Sequence, residues 1–325
     1  MIARFLDRLR PRPDASEPDG SPPPESPVSA ELLRQVRRIE IRTRHLVAES
    51  FAGAYHAVFK GQGMSFEEVR PYLPGDEVRS IDWNVTARTG EPHIKRFIEE
   101  RELTVLLLVD LSGSLDFGSR GRFKQALAAE LAAVLAFAAT SNQDRVGLLA
   151  FSDRVERMIP PRRGRRHVLR IVRDLLAIRP AGRGTDLVLA LDTLRHLLHR
   201  RSVVFLISDF EGQARPALIS RALRAAARRH DLIAVQLSDP LDRELPPAGL
   251  LWLEDAESGA RRLLDTGDAA WRAAQAAQAE ASAAADRQAL REAGIDRLAA
   301  RTDEDYAPAL TAFFHRRALR LRRGR

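Results

Sequence analysis

The stretch LTVLLLVDLSGS, residues 103–114, decides how this chain is read. Residues 103–109 form an apolar run without the strict alternation of a half-solvated strand, which is the pattern of a strand covered on both faces of a parallel sheet. The run ends in Asp110, and Asp110, Ser112 and Ser114 then set oxygen-bearing side chains at alternate positions ahead of the next helix. In open α/β sheets, ligands bind just beyond the carboxyl ends of strands. Any chemistry is therefore expected first at this junction.

Downstream, the same rhythm continues. Helices are predicted over 123–140, 168–178, 186–199 and 216–229, with buried strands over 145–151, 203–208 and 232–237 and an edge strand over 155–159. This alternation predicts an α/β domain over 103–265 with a doubly wound, mostly parallel sheet. After Pro246-Pro247, segments 250–254 and 260–264 predict a hairpin on the sheet edge. Residues 266–325 read as a helical C-terminal extension, with an Ala-rich helix over 269–293 favoured by propensity alone. Upstream, Gly61, Gly63, Pro71, the Pro74-Gly75-Asp76 turn and Gly90-Glu91-Pro92 punctuate 51–102, predicting a small β-rich domain. Leu32, Leu33, Val36, Ile39 and Ile41 mark an amphipathic helix within 29–50. Residues 1–28 are Pro-rich and polar, a composition that predicts a disordered linker.

Composition limits the function classes. The chain has 325 residues, 45% of them hydrophobic and 30% charged, enough apolar material for a large core. There is no cysteine, which removes thiol catalysis and a disulfide framework. No window of about 18 apolar residues occurs, and the first residues lack a secretory apolar core, so a cytoplasmic protein is expected. The 52 Lys+Arg exceed the 44 Asp+Glu by a net +8, and all but Lys60, Lys95 and Lys124 are arginine. Arginine suits polyanion surfaces. However, the densest basic stretch, Arg162, Arg163, Arg165, Arg166, Arg170 and Arg173, lacks the interleaved aromatics of a single-strand binder. Nucleic-acid binding is thus a secondary alternative.

Two more strand-to-helix junctions supply oxygens: Thr185 in Gly182-Arg183-Gly184-Thr185-Asp186, and Asp209 in Ser208-Asp209-Phe210. Together with Asp110, Ser112 and Ser114 they make a set of hard oxygen donors without His or Cys, which selects Mg²⁺, with Mn²⁺ or Ca²⁺ as alternatives. With one or two carboxylates and neutral hydroxyls, such an ion stays electrophilic and can take a carboxylate from another protein. The competing structural reading is that Ser, Thr and Asp at such junctions are helix N-caps. Catalytic signatures are missing: there is no P-loop, no nucleophile elbow, no H-E-x-x-H pair, and Ser112 stands where a haloacid-dehalogenase-type phosphatase has its second Asp. A Mg²⁺-dependent hydrolase remains an alternative, because a bound ion can activate water.

The order Asp110, Ser112, Ser114, Thr185, Asp209 resembles the metal-ion-dependent adhesion site of von Willebrand factor A domains, D-x-S-x-S followed by a distant Thr and a distant Asp. A second block, Arg70 to Trp83, reads R-x-Y-x-x-G-D-x-x-R-x-I-D-W and is preceded by Gly61-Gln62-Gly63-Met64-Ser65-Phe66. It resembles the hallmark of the bacterial domain of unknown function 58 family, in which the block precedes a von Willebrand factor A-like domain. The resemblance implies that fold for 103–265, a metal site at the five residues above, and a MoxR-type AAA+ ATPase as partner alongside other protein clients. Many members of that family begin with transmembrane segments, whereas this chain resembles the soluble ones. Within the block, Arg70, Asp76, Arg79 and Asp82 are expected to form charge-assisted pairs, with Trp83 as an apolar face. These five are expected to lock the β-rich segment against the α/β domain, as a structural interface, the alternative being a direct ligand site. The expectation for the whole chain is a non-catalytic, metal-dependent adaptor.

Overall fold

A computed structural model of the chain describes residues 30–47, 51–59, 65–98, 103–211 and 216–323. The predicted tail, 1–28, and the Gly61-Gln62-Gly63-Met64 part of the hallmark lie outside them. The centre is a six-stranded sheet of β3 (Thr104–Asp110), β4 (Arg145–Phe151), β5 (Val155–Arg162), β6 (Val203–Ser208), β7 (Asp231–Ser238) and β10 (Asp296–Arg301), in the order β10-β7-β6-β3-β4-β5. Every pairing is parallel except that of β5 with β4. The protein is thus a mixed α/β fold with a mostly parallel sheet, flanked by helices on both faces.

β3 shows why its run had to be apolar throughout. Val105, Leu107 and Val109 enter one core with α1 (Ala30–Leu46), α2 (Ala52–Val58), α4 (Lys124–Ser141), α5 (Arg165–Ala177) and α9 (Tyr306–Arg323). Leu106 and Leu108 enter a second core with α6 (Leu187–Leu197), α7 (Pro216–Arg229) and the end of α8 (Ala269–Glu292). Burial on both faces follows directly from the period-two alternation of a strand. Helix α4 is apolar around its circumference, and the run from Leu131 to Ala139 is wholly buried, as expected of a helix enclosed by other elements.

The segment 51–102 departs from the expectation of several short strands. Its described residues hold α2, a short helix α3 (Trp83–Thr89) and one antiparallel ribbon of β1 (Ser65–Pro71) with β2 (His93–Ile98). Phe51, Tyr55 and Phe59 recur at helical i, i+4, i+8 spacing and are all buried. Their rings meet Phe314 of α9 at centroid distances of 4.8, 5.9 and 5.8 Å. Aromatic and β-branched texture reads as strand locally, yet the large core set the outcome.

Two further differences concern the C-terminal part. The hairpin β8 (Leu250–Glu254) with β9 (Arg261–Asp265) forms a separate two-stranded sheet rather than extending the main one. The edge it was expected to occupy belongs to β10, a strand within the stretch read as purely helical. Leu298 and Ala300 of β10 are buried, while Arg297 and Arg301 interrupt the apolar pattern. Such an edge strand is hard to tell from a polar loop. Among the described residues no helix is long and apolar enough to cross a membrane.

Candidate metal centre

From β3 the sheet continues to β4 on one side and to β6 on the other, so the carboxyl end of β3 is the point at which strand order reverses. Such switch points open a crevice. Asp110 ends β3 with no exposed surface. Its Oδ1 accepts from the Ser112 amide at 2.9 Å and its Oδ2 from the Ser208 hydroxyl, on neighbouring β6, at 2.6 Å. Ser112 and Ser114 are buried, their hydroxyl oxygens 3.0 Å apart. Burial, and next the charge of nearby Asp209, push the Asp110 carboxyl up to about 7.

Asp209 follows β6 and is almost fully buried. Its Oδ2 accepts from Lys124 Nζ at 3.0 Å, and its Oδ1 from the Glu211 amide at 3.2 Å. Phe210, next in the chain, has a left-handed backbone at φ 63° without being glycine. Residues held there cost roughly 1–3 kcal/mol and cluster at functional sites. Lys124 was not anticipated as part of the site. Its side chain is 1% exposed, lies 2.9 Å from Asp242 Oδ2 and 3.6 Å from Glu211 Oε1, and so carries three carboxylates. Burial alone would depress this ammonium, but Asp209, Glu211 and Asp242 outweigh it and hold its pKa raised. The available signal was rarity: one of only three lysines in an arginine-rich chain, opening the helix after the D-x-S-x-S run.

Thr185 precedes α6, whose N-cap is Asp186, accepting from the Leu189 amide at 2.8 Å. Two anchors hold the Thr185 loop at the site. The Gly113 amide donates to Arg183 O at 2.8 Å, and Glu156 accepts from the amides of Gly182 at 2.8 Å and Ala181 at 3.1 Å. The Thr185 hydroxyl donates to Glu257 Oε1, on the β8–β9 hairpin, at 2.8 Å. Of the five candidate residues, Asp110, Ser112 and Ser114 lie together, Asp209 is next to them on Lys124, and Thr185 faces Glu257. Ser208, Lys124 and Glu257 are the neighbours that sequence reasoning missed.

Among the described residues no three His, Cys, Asp or Glu side chains group to hold a metal. A cation here would rely on Asp110 and hydroxyl oxygens, a hard donor set that fits Mg²⁺. Beside the site, a cavity of about 890 Å³ is lined by Asp209, Glu211, Asp242, Asp286 and Arg297. Burial and then Asp209 push Asp286 up to about 6.

The hallmark block divides into structural and exposed parts. Arg70 grips Asp76 bidentately at 2.9 and 2.7 Å, and Asp76 also accepts from the Leu73 amide. Those bonds, the Arg70 one foremost, hold the Asp76 carboxyl below its usual range. Asp82 is the N-cap of α3, accepting from the amides of Asn84 and Val85. Arg79 is exposed, and Trp83 is 67% exposed, so the indole does not lock this segment to the α/β body. In the basic stretch, Arg165 pairs with Glu40 at 2.6 Å, and Arg170 and Arg173 pair with Asp174. Two carboxylates, Glu40 and Asp174, thus offset part of that positive charge.

Comparison with known proteins places the chain. An uncharacterized protein of Mycobacterium tuberculosis, Rv1480, is 37% identical over 284 residues, covering 87% of this chain and 88% of the relative. MAV169, an uncharacterized protein of Mycobacterium avium, is 36% identical over 157 residues, 48% of this chain and 90% of the relative. Among solved structures, the conserved hypothetical protein BatB of Bacteroides thetaiotaomicron aligns at 15% identity and a TM-score of 0.43, over 67% of this chain and 99% of that one. An aerotolerance-related membrane protein of Bacteroides fragilis aligns at 14% and 0.47, over 67% and 99%. The family described as "Protein of unknown function DUF58" matches residues 68–285, from the Arg70–Asp76 turn through all but one strand of the central sheet, and the chain belongs to that family.

Proposed function

We propose that this protein is a non-catalytic adaptor whose α/β unit follows the von Willebrand factor A plan and holds Mg²⁺ for a partner's acidic side chain. The observation that carries this reading is the buried Asp110 carboxylate beside the paired hydroxyls of Ser112 and Ser114, at the switch point of the sheet. Asp110 would supply the negative charge, oriented by the Ser112 amide and the Ser208 hydroxyl. Ser112 and Ser114 would supply neutral donors, with Thr185 and Asp209 around them. When bound, the cation supplies an electrophilic centre for a carboxylate oxygen. The family resemblance makes a MoxR-type AAA+ ATPase the natural partner, with other proteins as clients.

The test is capture of partners from lysate by the full chain, with Mg²⁺ or with EDTA, using wild type and Asp110→Ala. A MoxR-type ATPase retained only by wild type with Mg²⁺ supports the proposal. Retention indifferent to both perturbations removes the metal from the mechanism, and turnover of a phosphoester by the purified protein would move the reading to a hydrolase.

A further inference from the structure

The β8–β9 hairpin touches the candidate metal centre with its tip. There, Asp255 closes a tight turn: its Oδ1 accepts from both the amide and the hydroxyl of Ser258 at 2.7 Å, and its O accepts from the Gly259 amide at 2.8 Å. Glu257 sits within that turn and its Oε1 accepts a hydrogen bond from the Thr185 hydroxyl at 2.8 Å. The neighbouring Ala256 carbonyl lies so close to Gly113, between Ser112 and Ser114, that a Cβ there would meet it at 2.2 Å. The tip therefore fits against the D-x-S-x-S loop only because residue 113 has no side chain.

The hairpin's base is also fixed. Thr266 is fully buried, its hydroxyl donating to Gly249 O at 2.8 Å and accepting from the Ala248 amide at 3.0 Å. Between base and tip the strands pair with each other alone, and Trp252 and Leu263, cross-strand partners, stay exposed. An arm of this kind, tied at its base and resting by its tip, can lift without dismantling a core.

We propose that Glu257 is the carboxylate that completes the metal centre from within the chain, occupying the position that a partner's acidic side chain must take. The inference rests on the Mg²⁺ reading of Asp110, Ser112, Ser114, Thr185 and Asp209, and it names how that site is regulated. A partner competes with Glu257, and the hairpin lifts about its base at Gly249, whose φ is +73°. Glu257 is half-buried against Thr185, and its isosteric amide keeps an oxygen that can accept from the Thr185 hydroxyl, so Glu257→Gln leaves the fold intact.

Mn²⁺ is the probe, added to the full-length wild type, Glu257→Gln and Asp110→Ala, with affinity read by titration and bound water by proton relaxation. Wild type is expected to bind Mn²⁺ and Asp110→Ala to lose it. Glu257→Gln is expected to bind about tenfold more weakly, since ligand charge tunes affinity for hard cations, and to gain one rapidly exchanging inner-sphere water. If Glu257→Gln matches wild type in both readouts while Asp110→Ala abolishes binding, the in-chain carboxylate is wrong and the metal site stands. If Asp110→Ala binds Mn²⁺ like wild type, the metal site itself is wrong and the role of Glu257 falls with it.

Discussion

The Lys124 ammonium and the Asp209 carboxylate meet at 3.0 Å, each side chain 1% exposed. They stand 85 residues apart in sequence, at the start of α4 and the end of β6. The same ammonium reaches Asp242 and Glu211, so one cation is shared by three acids, of which Asp209 is the neighbour of Asp110. A lysine suits this because its three N–H donors radiate from one point charge, whereas a guanidinium presents a planar fork.

Replacing Lys124 by Met leaves those acids uncompensated in a dry setting. Removing one partner of a buried pair typically costs about 3–5 kcal/mol. Lys124→Met should lose stability in that range in urea unfolding, and adding Asp209→Asn should restore part of it. A loss under about 1 kcal/mol would contradict the buried charge arrangement.

Asp144 gives a pH signature away from the metal centre. It accepts from the Leu103 amide at 3.1 Å and from the Tyr55 hydroxyl at 3.3 Å, and burial pushes its carboxyl from 3.8 up to about 6. A folded pKa above the unfolded one means that the folded state holds the proton more tightly. Its contribution is therefore full at acid pH and is lost as pH rises between about 4 and 6. Asp144→Asn should gain relative to wild type by roughly 1–3 kcal/mol on passing from pH 4 to pH 7, measured as the difference between their unfolding curves. An unchanged difference across that range would refute the shift.

Arg317 of α9 pins the sheet edge. It bonds both oxygens of Asp231 on β7 at 2.5 and 2.6 Å, reaches Asp296 on β10, and lies over the Phe59 ring at 5.6 Å. Arg317→Leu should destabilise by about 3 kcal/mol by orphaning the Asp231 carboxylate, while Asp296 keeps its pair with Arg320. Arg317→Lys should recover little, because one ammonium cannot make the same fork. Hydrogen exchange should show β10 opening first in both variants.

The hallmark block offers a contrast between neighbours. Asp82→Ala removes an N-cap and should cost about 1 kcal/mol. Trp83→Ala, with the indole 67% exposed, should stay within about 0.5 kcal/mol of wild type. Equal losses in thermal unfolding would mean that Trp83 is a packing residue after all.

Much of this molecule could be read before folding. The run 103–109 gave β3 because only a strand buried on both faces needs apolar residues at every position. Helices α5, α6 and α7 were legible from their period, and the helix around 30–46 from its apolar stripe. β10 was not legible, since Arg297 and Arg301 interrupt its pattern and its status as a strand depends on β7 lying beside it. α2 was missed although Phe51, Tyr55 and Phe59 carry helical spacing, because the aromatic core that rewards it includes Phe314, far along the chain.

The sequence by itself determined the order of oxygen-bearing residues at the strand ends, Asp110, Ser112, Ser114, Thr185 and Asp209, since strand burial and helix starts are local properties. Only the tertiary structure decided which groups those oxygens meet. Ser208 reaches Asp110 across 98 residues, Lys124 reaches Asp209 across 85, and Thr185 reaches Glu257 across 72. Hydrogen bonds and ion pairs act over a few ångströms of space, and no periodicity along the chain encodes a distance that a sheet crossing or a hairpin creates.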